Sequence, residues 1–411
     1  MRAPGFLLPD PRRNREPYVT VTATAPTTTA ARREIFEDEH EDFRDSVRRF
    51  IDAEVRPSHA EWERAHVVPR ELFTKLASHG FLAMAVPEEH GGPGVDDWRF
   101  NVVLCEEAAR SNVGDALIGP GLHTDVCLPY LLASCTDEQK ERWLPGVASG
   151  ELILAIAMTE PGTGSDLAGI RTQAKRESGG YRLNGAKTFI TNGLNADLVI
   201  VAARTSEDKH GGLSLLAVER GMEGFERGKQ IEKLGQHASD TTELYFDDVF
   251  VPEENLLGEE GSGFMQLVAR LVPERLILAA SAIAGAESAF EQTLAYVKER
   301  KAFGRPIGSF QHSRFVMAEL KTKLEITRCF IDRCIVRNAA GECGVDEAAM
   351  AKWWTTDLLC EVADAGLQLH GGYGYTTEYP ISKAWVDARI TRIYAGTNEI
   401  MKELVGRTMG L

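Results

Sequence analysis

What this sequence has little of narrows its reading first. Cysteine occurs only seven times in 411 residues. The seven stand singly at 105, 127, 135, 329, 334, 343 and 360, never as C-x-x-C, and their number is odd. That pattern argues against a disulfide framework and a zinc site, and for reduced thiols in a cytosol-like compartment. Positive charge is also short. Against 61 Asp and Glu there are 46 Lys and Arg, a net charge of −15, so neither nucleic acid nor an anionic membrane surface is the expected main partner. Long apolar runs are missing too: LILAIAM (152–158) is far too short to span a bilayer. Neither G-x-G-x-x-G nor G-x-x-x-x-G-K-[ST] occurs, which removes the usual dinucleotide and nucleotide-triphosphate loops.

What is present is a chain that is 43% hydrophobic, enough for a large core spread over several domains. Residues 1–33 are rich in Pro, Thr and Arg without a helical period. They read as a disordered tail on a bacterial cytoplasmic protein. A transit peptide to the mitochondrial matrix is the alternative, and the prolines work against it. Residues 34–151 read as a helical domain: Phe36, Phe43, Val47, Phe50 and Ile51 recur at helical spacing, and RELFTKLASHG and NVVLCEEAAR continue the pattern. Residues 152–260 turn β-like. YRLNGAKTFITNG alternates around Asn184-Gly185, a strong hairpin signal, and DLVIVAAR, LSLLAVE and TELYFDDVFV follow between Gly-rich turns. From 261 to 411 long helices return, expected at 263–300, 311–340, 346–370 and 379–394, which suggests an antiparallel bundle.

Five short motifs carry chemistry, and each alone also has a plain reading. AMTEPGTGSD (157–166) follows an apolar strand. Its backbone N–H groups can converge on phosphate oxygens, with Thr159 and Ser165 adding hydroxyls, yet such loops are more often ordinary turns. KTFITNG (187–193) puts Phe189 and Thr191 on one strand face, suited to a flat heterocycle or to a cross-strand pair. RKAFGRPI (300–307), with Gln311 after it, offers the planar fork of Arg300 to a phosphate, or a solvated helix end. QLHGGYGY (368–375) and IYAGTNEI (393–400) place Gly-rich turns near helix ends.

Taken together, in this order and spacing, these motifs resemble the acyl-CoA dehydrogenase family, and the resemblance runs from about Arg33 to Leu411. It implies an α+β multidomain fold: an N-terminal helical domain, a middle β-barrel and a C-terminal four-helix bundle. It implies FAD, with Ile156, Ala157, Met158, Thr159, Gly164 and Ser165 in the flavin loop and Phe189, Ile190 and Thr191 beside the isoalloxazine. Thr397, Asn398 and Glu399 match another flavin contact. Arg300, Phe303 and Gln311 match residues that reach a neighbouring subunit's cofactor, and Gln368, Leu369, His370, Gly371 and Gly372 match the opposite part of that cross-subunit site. A homo-oligomer, most often a tetramer, follows. So do an acyl-CoA substrate, held by Ser165, Arg275, Tyr394, Ala395 and Gly396, and an electron-transfer flavoprotein as acceptor of the electrons.

One position departs from the commonest family pattern. Many members carry the catalytic base as Glu in the turn after Tyr394, and this chain has Ala395, whose backbone N–H matches an oxyanion donor. Isovaleryl-CoA and long-chain acyl-CoA dehydrogenases share that departure and carry the base at the start of the bundle in an E-R-L context, here Glu274-Arg275-Leu276. Glu274 stands in a stripe with Leu267, Leu271 and Leu278, where desolvation raises a carboxyl's pKa toward a base's working range. Its plain reading is a helix-face pair with Arg270. The acyl chain is expected to be long or medium, with a short branched chain as the alternative. An oxygen-using oxidase or monooxygenase, or an inactive acyl-CoA-binding scaffold, stands as a competing class.

Overall fold

A computed structural model describes residues 33–208 and 211–411. The expectation of a disordered tail lies outside these residues. Seven helices open the described chain: α1 (Asp38–Phe50), α2 (His59–Ala65), α3 (Glu71–Ser78), α4 (Arg99–Arg110), α5 (Ile118–Gly121), α6 (Leu128–Ser134) and α7 (Asp137–Ser149). Between α5 and α6 the segment Leu122–Cys127 is a π-helix, a form that recurs at functional sites. The apolar stripe of α1 is buried through Val47 and Phe50, as its spacing requires, against Phe81 and Leu82.

The middle region is one mixed sheet of β1 (Leu154–Ala157), β2 (Gln173–Glu177), β3 (Gly180–Thr191), β4 (Leu198–Arg204), β5 (Leu213–Glu219), β6 (Phe225–Gln230), β7 (Thr241–Pro252) and β8 (Leu256–Leu257). The order is β6-β7-β3-β2-β4-β5-β8, with β1 parallel to β4. Among the described residues this path has two ends and does not close as a hydrogen-bonded barrel must.

The hairpin expected at Asn184-Gly185 is not there, because β3 runs straight through it. The turn is Ser178-Gly179, with Glu177 paired to Gly180 and Gly179 at φ +80°. Gly185 is needed for another reason: a Cβ there would lie 2.5 Å from the Thr172 hydroxyl. Asn184 instead accepts the Asp248 N–H at 2.8 Å, opposite a bulge in β7.

Three long helices dominate the rest: α8 (Gly263–Glu299), α9 (Gln311–Ala339) and α10 (Val345–His370). A two-stranded ribbon, β9 (Lys301–Ala302) with β10 (Arg305–Pro306), joins α8 to α9. The fourth expected helix, 379–394, is α-helical only in its first part. α11 (Pro380–Ala388) passes into a 3-10 turn, and a separate α12 (Asn398–Thr408) follows, capped by the Thr397 hydroxyl accepting from Ile400 N–H at 3.3 Å. Small residues let these helices approach closely. Ala279, Ala280, Ala282, Ala286 and Ala289 of α8 are buried, and a Cβ on Gly366 of α10 would meet Thr293 Oγ1 at 2.6 Å.

An ionic joint ties distant segments. Lys383 Nζ lies 2.9 Å from carboxylate oxygens of Glu63, Asp115 and Asp387. Asp115 also takes His59 at 2.7 Å and the Ala238 N–H at 3.1 Å. His59, Glu63 and Asp115 lie close enough together to resemble metal ligands, but the Lys383 ammonium already sits among them. All seven cysteines are free. Among the described residues no helix is long and apolar enough to cross a membrane.

Candidate active site

Glu274 lies in the first third of α8, directly after Pro273, and the helix runs unbroken through that proline. Its side chain is buried. The Tyr130 hydroxyl of α6 donates to Glu274 Oε1 at 3.0 Å. Burial pushes the Glu274 pKa up to about 7, against the pull of the Tyr130 hydrogen bond and of the Arg275 and Arg270 charges. Arg270 forms no ion pair with Glu274 among the described residues, so the helix-face pair does not account for the carboxylate. The purely structural reading of Glu274 loses its main support there.

Arg275 is buried as well, and its Nε and Nη1 have no protein partner among the described residues. A buried guanidinium with unspent donors is costly unless something outside the chain's own atoms satisfies them. The turn Tyr394–Thr397 sits beside it: a Cβ on Gly396 would lie 3.9 Å from Arg275 Nη2. Ala395 (φ +53°) and Gly396 (φ +86°) are both left-handed, an uncommon conformation for alanine. Ala395 is exposed and its N–H finds no partner among the described residues. The turn is fixed from beneath by Lys352, fully buried in α10, whose ammonium donates to the Gly396 carbonyl at 2.7 Å and to Asn398 Oδ1 at 2.9 Å. Asn398 spends its amide on Trp353, Thr356 and Asp357. Its side chain therefore holds the turn from inside, while Glu399 is exposed.

The β side offers a second surface. Ile156 and Ala157 end the buried strand β1, and the chain then emerges, with Gly164 and Ser165 exposed. A Cβ built on Gly162 or Gly164 meets nothing within 4 Å, so the loop's backbone is open to a ligand. Phe189 is 65% exposed at φ +60°, on a bulge where β3 slips its register against β7. Buried Ile190 separates it from Thr191, so both outward residues flank one platform. The hydroxyls of Thr159, Ser165 and Thr191 have no protein partner among the described residues. A flat face, open glycine backbone and unspent hydroxyls are the donor set that FAD requires, and the residues fit it.

This loop is held by a pair the sequence did not flag. Lys187, fully buried, donates to the Met158 carbonyl at 3.0 Å and to Glu160 Oε1 at 2.9 Å. Glu160 also accepts the N–H groups of Arg171 and Thr172 at 2.7 and 2.9 Å. Burial brings Lys187 down to about 8 even against the pull of Glu160. Lys352 was missed in the same way. The legible signal for Lys187 was its place on the inward face with Tyr181 and Leu183.

A third group gathers at the far end of α8. Arg300, Gln368, Leu369, His370, Gly371 and Gly372 line one open concavity of about 520 Å³, with Arg300 over the Tyr373 ring at 5.4 Å. Phe303, 95% exposed at φ +51°, forms the tip of the β9–β10 ribbon, and Gln311 is exposed at the start of α9. Arg300 caps the C-terminal end of α8, 26 residues beyond Glu274, about 39 Å away at 1.5 Å per residue.

Three family models match in succession: the acyl-CoA dehydrogenase N-terminal domain over 37–151, its middle domain over 155–249 and its C-terminal domain over 261–410. The chain belongs to the acyl-CoA dehydrogenase family. It is 48% identical over 380 residues to the mitochondrial long-chain specific acyl-CoA dehydrogenase of Mus musculus, covering 91% of this chain and 87% of that one. Mitochondrial isovaleryl-CoA dehydrogenase of Solanum tuberosum is 34% identical over 378 residues, 91% of each chain. Among solved structures, acyl-CoA dehydrogenase from Geobacillus kaustophilus superposes with a TM-score of 0.89 at 46% identity, over 92% of this chain and 99% of that one. Membership makes this acyl-CoA dehydrogenase-family chain an FAD enzyme that acts on a CH–CH group.

Proposed function

We propose that the protein dehydrogenates a long- or medium-chain acyl-CoA to the trans-2-enoyl-CoA, with Glu274 as the base. The observation that carries the assignment is the buried, Tyr130-bonded Glu274 carboxyl beside Arg275 and the Ala395–Gly396 turn. A carboxylate with a pKa near 7 is matched to taking an α-proton at neutral pH. Tyr130 holds one oxygen and leaves the other for the substrate. The open N–H of Ala395 is the donor for the thioester oxygen as charge builds on it. Thr159, Ser165, Thr191 and the Phe189 ring hold and orient the flavin. When bound, the flavin accepts the hydrogen and electron pair that leave the β-carbon.

Burial of the site by α6 and α8 keeps water from the base. The preference for long or medium chains over isovaleryl-type substrates rests on overall similarity, 48% against 34% identity. Electrons then pass to an electron-transfer flavoprotein, the acceptor typical of this family.

Arg300 supports a cofactor site shared between subunits. It stands too far along α8 to serve the flavin beside its own Glu274, so its concavity with Gln368–Gly372 is assigned to a neighbouring chain's cofactor. The exposed Phe303 tip suits the same interface. The protein is thus read as a homo-oligomer, most simply a tetramer, working in a cytosol-like compartment.

Anaerobic bleaching of the bound flavin by acyl-CoAs of graded length and branching tests the function. Bleaching with straight chains and none in Glu274→Gln supports it. Normal bleaching in Glu274→Gln refutes the base. Peroxide released under air at the turnover rate would move the protein to the oxidase class.

A further inference from the structure

A second carboxyl, five residues before Tyr130 in the chain, is left unused by the dehydrogenation. Asp125 lies in the π-helical segment Leu122–Cys127. Its Oδ1 accepts from Asn101 Nδ2 of α4 at 2.6 Å. Its Oδ2 has no partner among the described residues. Asp125 is half-buried, so its side chain keeps accessible surface. Gly121, four residues earlier, leaves space beside it: a Cβ there meets nothing nearer than Asp125 Oδ2, at 3.9 Å.

Two links tie the elements that carry Asp125 and Asn101 to the helix of the base. Tyr130, five residues after Asp125, carries the hydrogen bond to Glu274. In the second, Cys105 of α4 reaches the Ile277 carbonyl of α8 at 3.6 Å, and further on Ser288 reaches the Arg110 carbonyl at 3.2 Å. The two helices therefore run in the same direction. Asn101 stands one turn before Cys105 on α4, as Pro273 and Glu274 stand one turn before Ile277 on α8.

We infer that Asp125, braced by Asn101, is a specificity-determining residue that faces the acyl chain and selects acyl-CoAs bearing a hydroxyl on that chain. An alkyl chain offers nothing to Oδ2 and leaves a buried polar group unsatisfied. A hydroxyl both gives and takes a hydrogen bond, so it satisfies the oxygen whether or not the carboxyl holds its proton. Burial raises the Asp125 pKa to about 7, against the Asn101 hydrogen bond, so both forms are present at neutral pH. Gly121 supplies the room for the hydroxyl-bearing carbon.

The inference rests on the acyl-CoA reading of the site, and its test separates the two. Binding of acyl-CoAs of one length, plain or with the hydroxyl moved stepwise along the chain, is measured by calorimetry on flavin-loaded Glu274→Gln, where no turnover intervenes. At one hydroxyl position the affinity should exceed that of the plain chain about tenfold or more. Asp125→Leu in that background should reverse the order, and Asp125→Asn, which keeps a polar group at Oδ2, should retain it. The wild-type enzyme should show the same preference in KM with little change in kcat. A plain chain bound best at every position, or a ratio unchanged in Asp125→Leu, overturns the inference. A hydroxyl preference in binding without flavin bleaching by any thioester would uphold the subsite and sink the dehydrogenase reading instead.

Discussion

Tyr130 and Glu274 stand 144 residues apart in sequence and 3.0 Å apart in space, hydroxyl to carboxylate, where α6 meets α8. The bond does two things at once. It satisfies a charge inside an apolar wall, and it opposes the rise in pKa that burial imposes.

Tyr130→Phe should therefore move the base's titration upward. A hydrogen bond to a charged group is worth about 1.5–3 kcal/mol, and one pKa unit about 1.4 kcal/mol, so the shift should be roughly one unit or more. As the proposed base, Glu274 would act in its deprotonated form. Activity of the wild type should rise with pH through about 7, and the rise in Tyr130→Phe should come later. The variant should be several-fold slower near pH 7 and approach the wild type in alkali. A pH profile of kcat/KM measures this. Coincident profiles would mean the bond does not set the titration.

Glu274→Gln keeps the shape of the side chain and removes the proton acceptor. The rate should fall about 10²- to 10⁴-fold, the usual worth of a positioned base. The yellow flavin spectrum should remain, because Glu274 is not among the residues assigned to the cofactor. Stopped-flow reduction of the flavin separates loss of chemistry from loss of cofactor.

Lys187 and Glu160 show what the sequence made legible and what it hid. The three-part layout and the long helices follow from spacing and periodicity, and the proposal of Glu274 as the base rests on the family resemblance together with the Ala at 395. The grip beneath the flavin loop does not, because Lys187 and Glu160 are 27 residues apart and only pairing of the strands reveals them as partners. The same holds for Lys352 under the Gly396 turn. The Asn184-Gly185 signal misled because its mechanism, two residues in left-handed conformation, was not in use: β3 needed the glycine only to clear Thr172. Sheet closure was likewise beyond a local reading, since strand order is set by contacts far apart in sequence.

Lys187→Met should cost about 3–5 kcal/mol, because Glu160 is left as an uncompensated buried charge. Flavin content after purification should fall along with the melting temperature. Lys187→Met combined with Glu160→Leu should recover a good part of the stability but not the flavin, since the loop loses its anchor to the Met158 carbonyl and the Arg171 and Thr172 N–H groups. Thermal melts and flavin-to-protein absorbance ratios decide both points.

Acid should act on the joint at Lys383. Burial alone would raise the Asp115 pKa, but the His59 hydrogen bond, the Lys383 charge and the Ala238 N–H together hold it well below the usual range. A carboxyl depressed by folding adds stability above its unfolded pKa of about 3.9, and that stability is lost as pH falls through and below it. The share carried by Asp115 is on the order of 2–3 kcal/mol. Asp115→Asn should be less stable at neutral pH and should lose less on acidification than the wild type. Melting temperatures taken from pH 7 down to 3 test the difference in slope.

The length of α8 has one more consequence. Arg300 and the open groove at the helix's far end belong, on this reading, to a neighbour's flavin. A lone chain would then own a base and a loop but no clamp for the other end of its cofactor. Dilution is then a perturbation in its own right: prosthetic-group loss should follow the dissociation of subunits by mass action, and free FAD should pull the assembly back together.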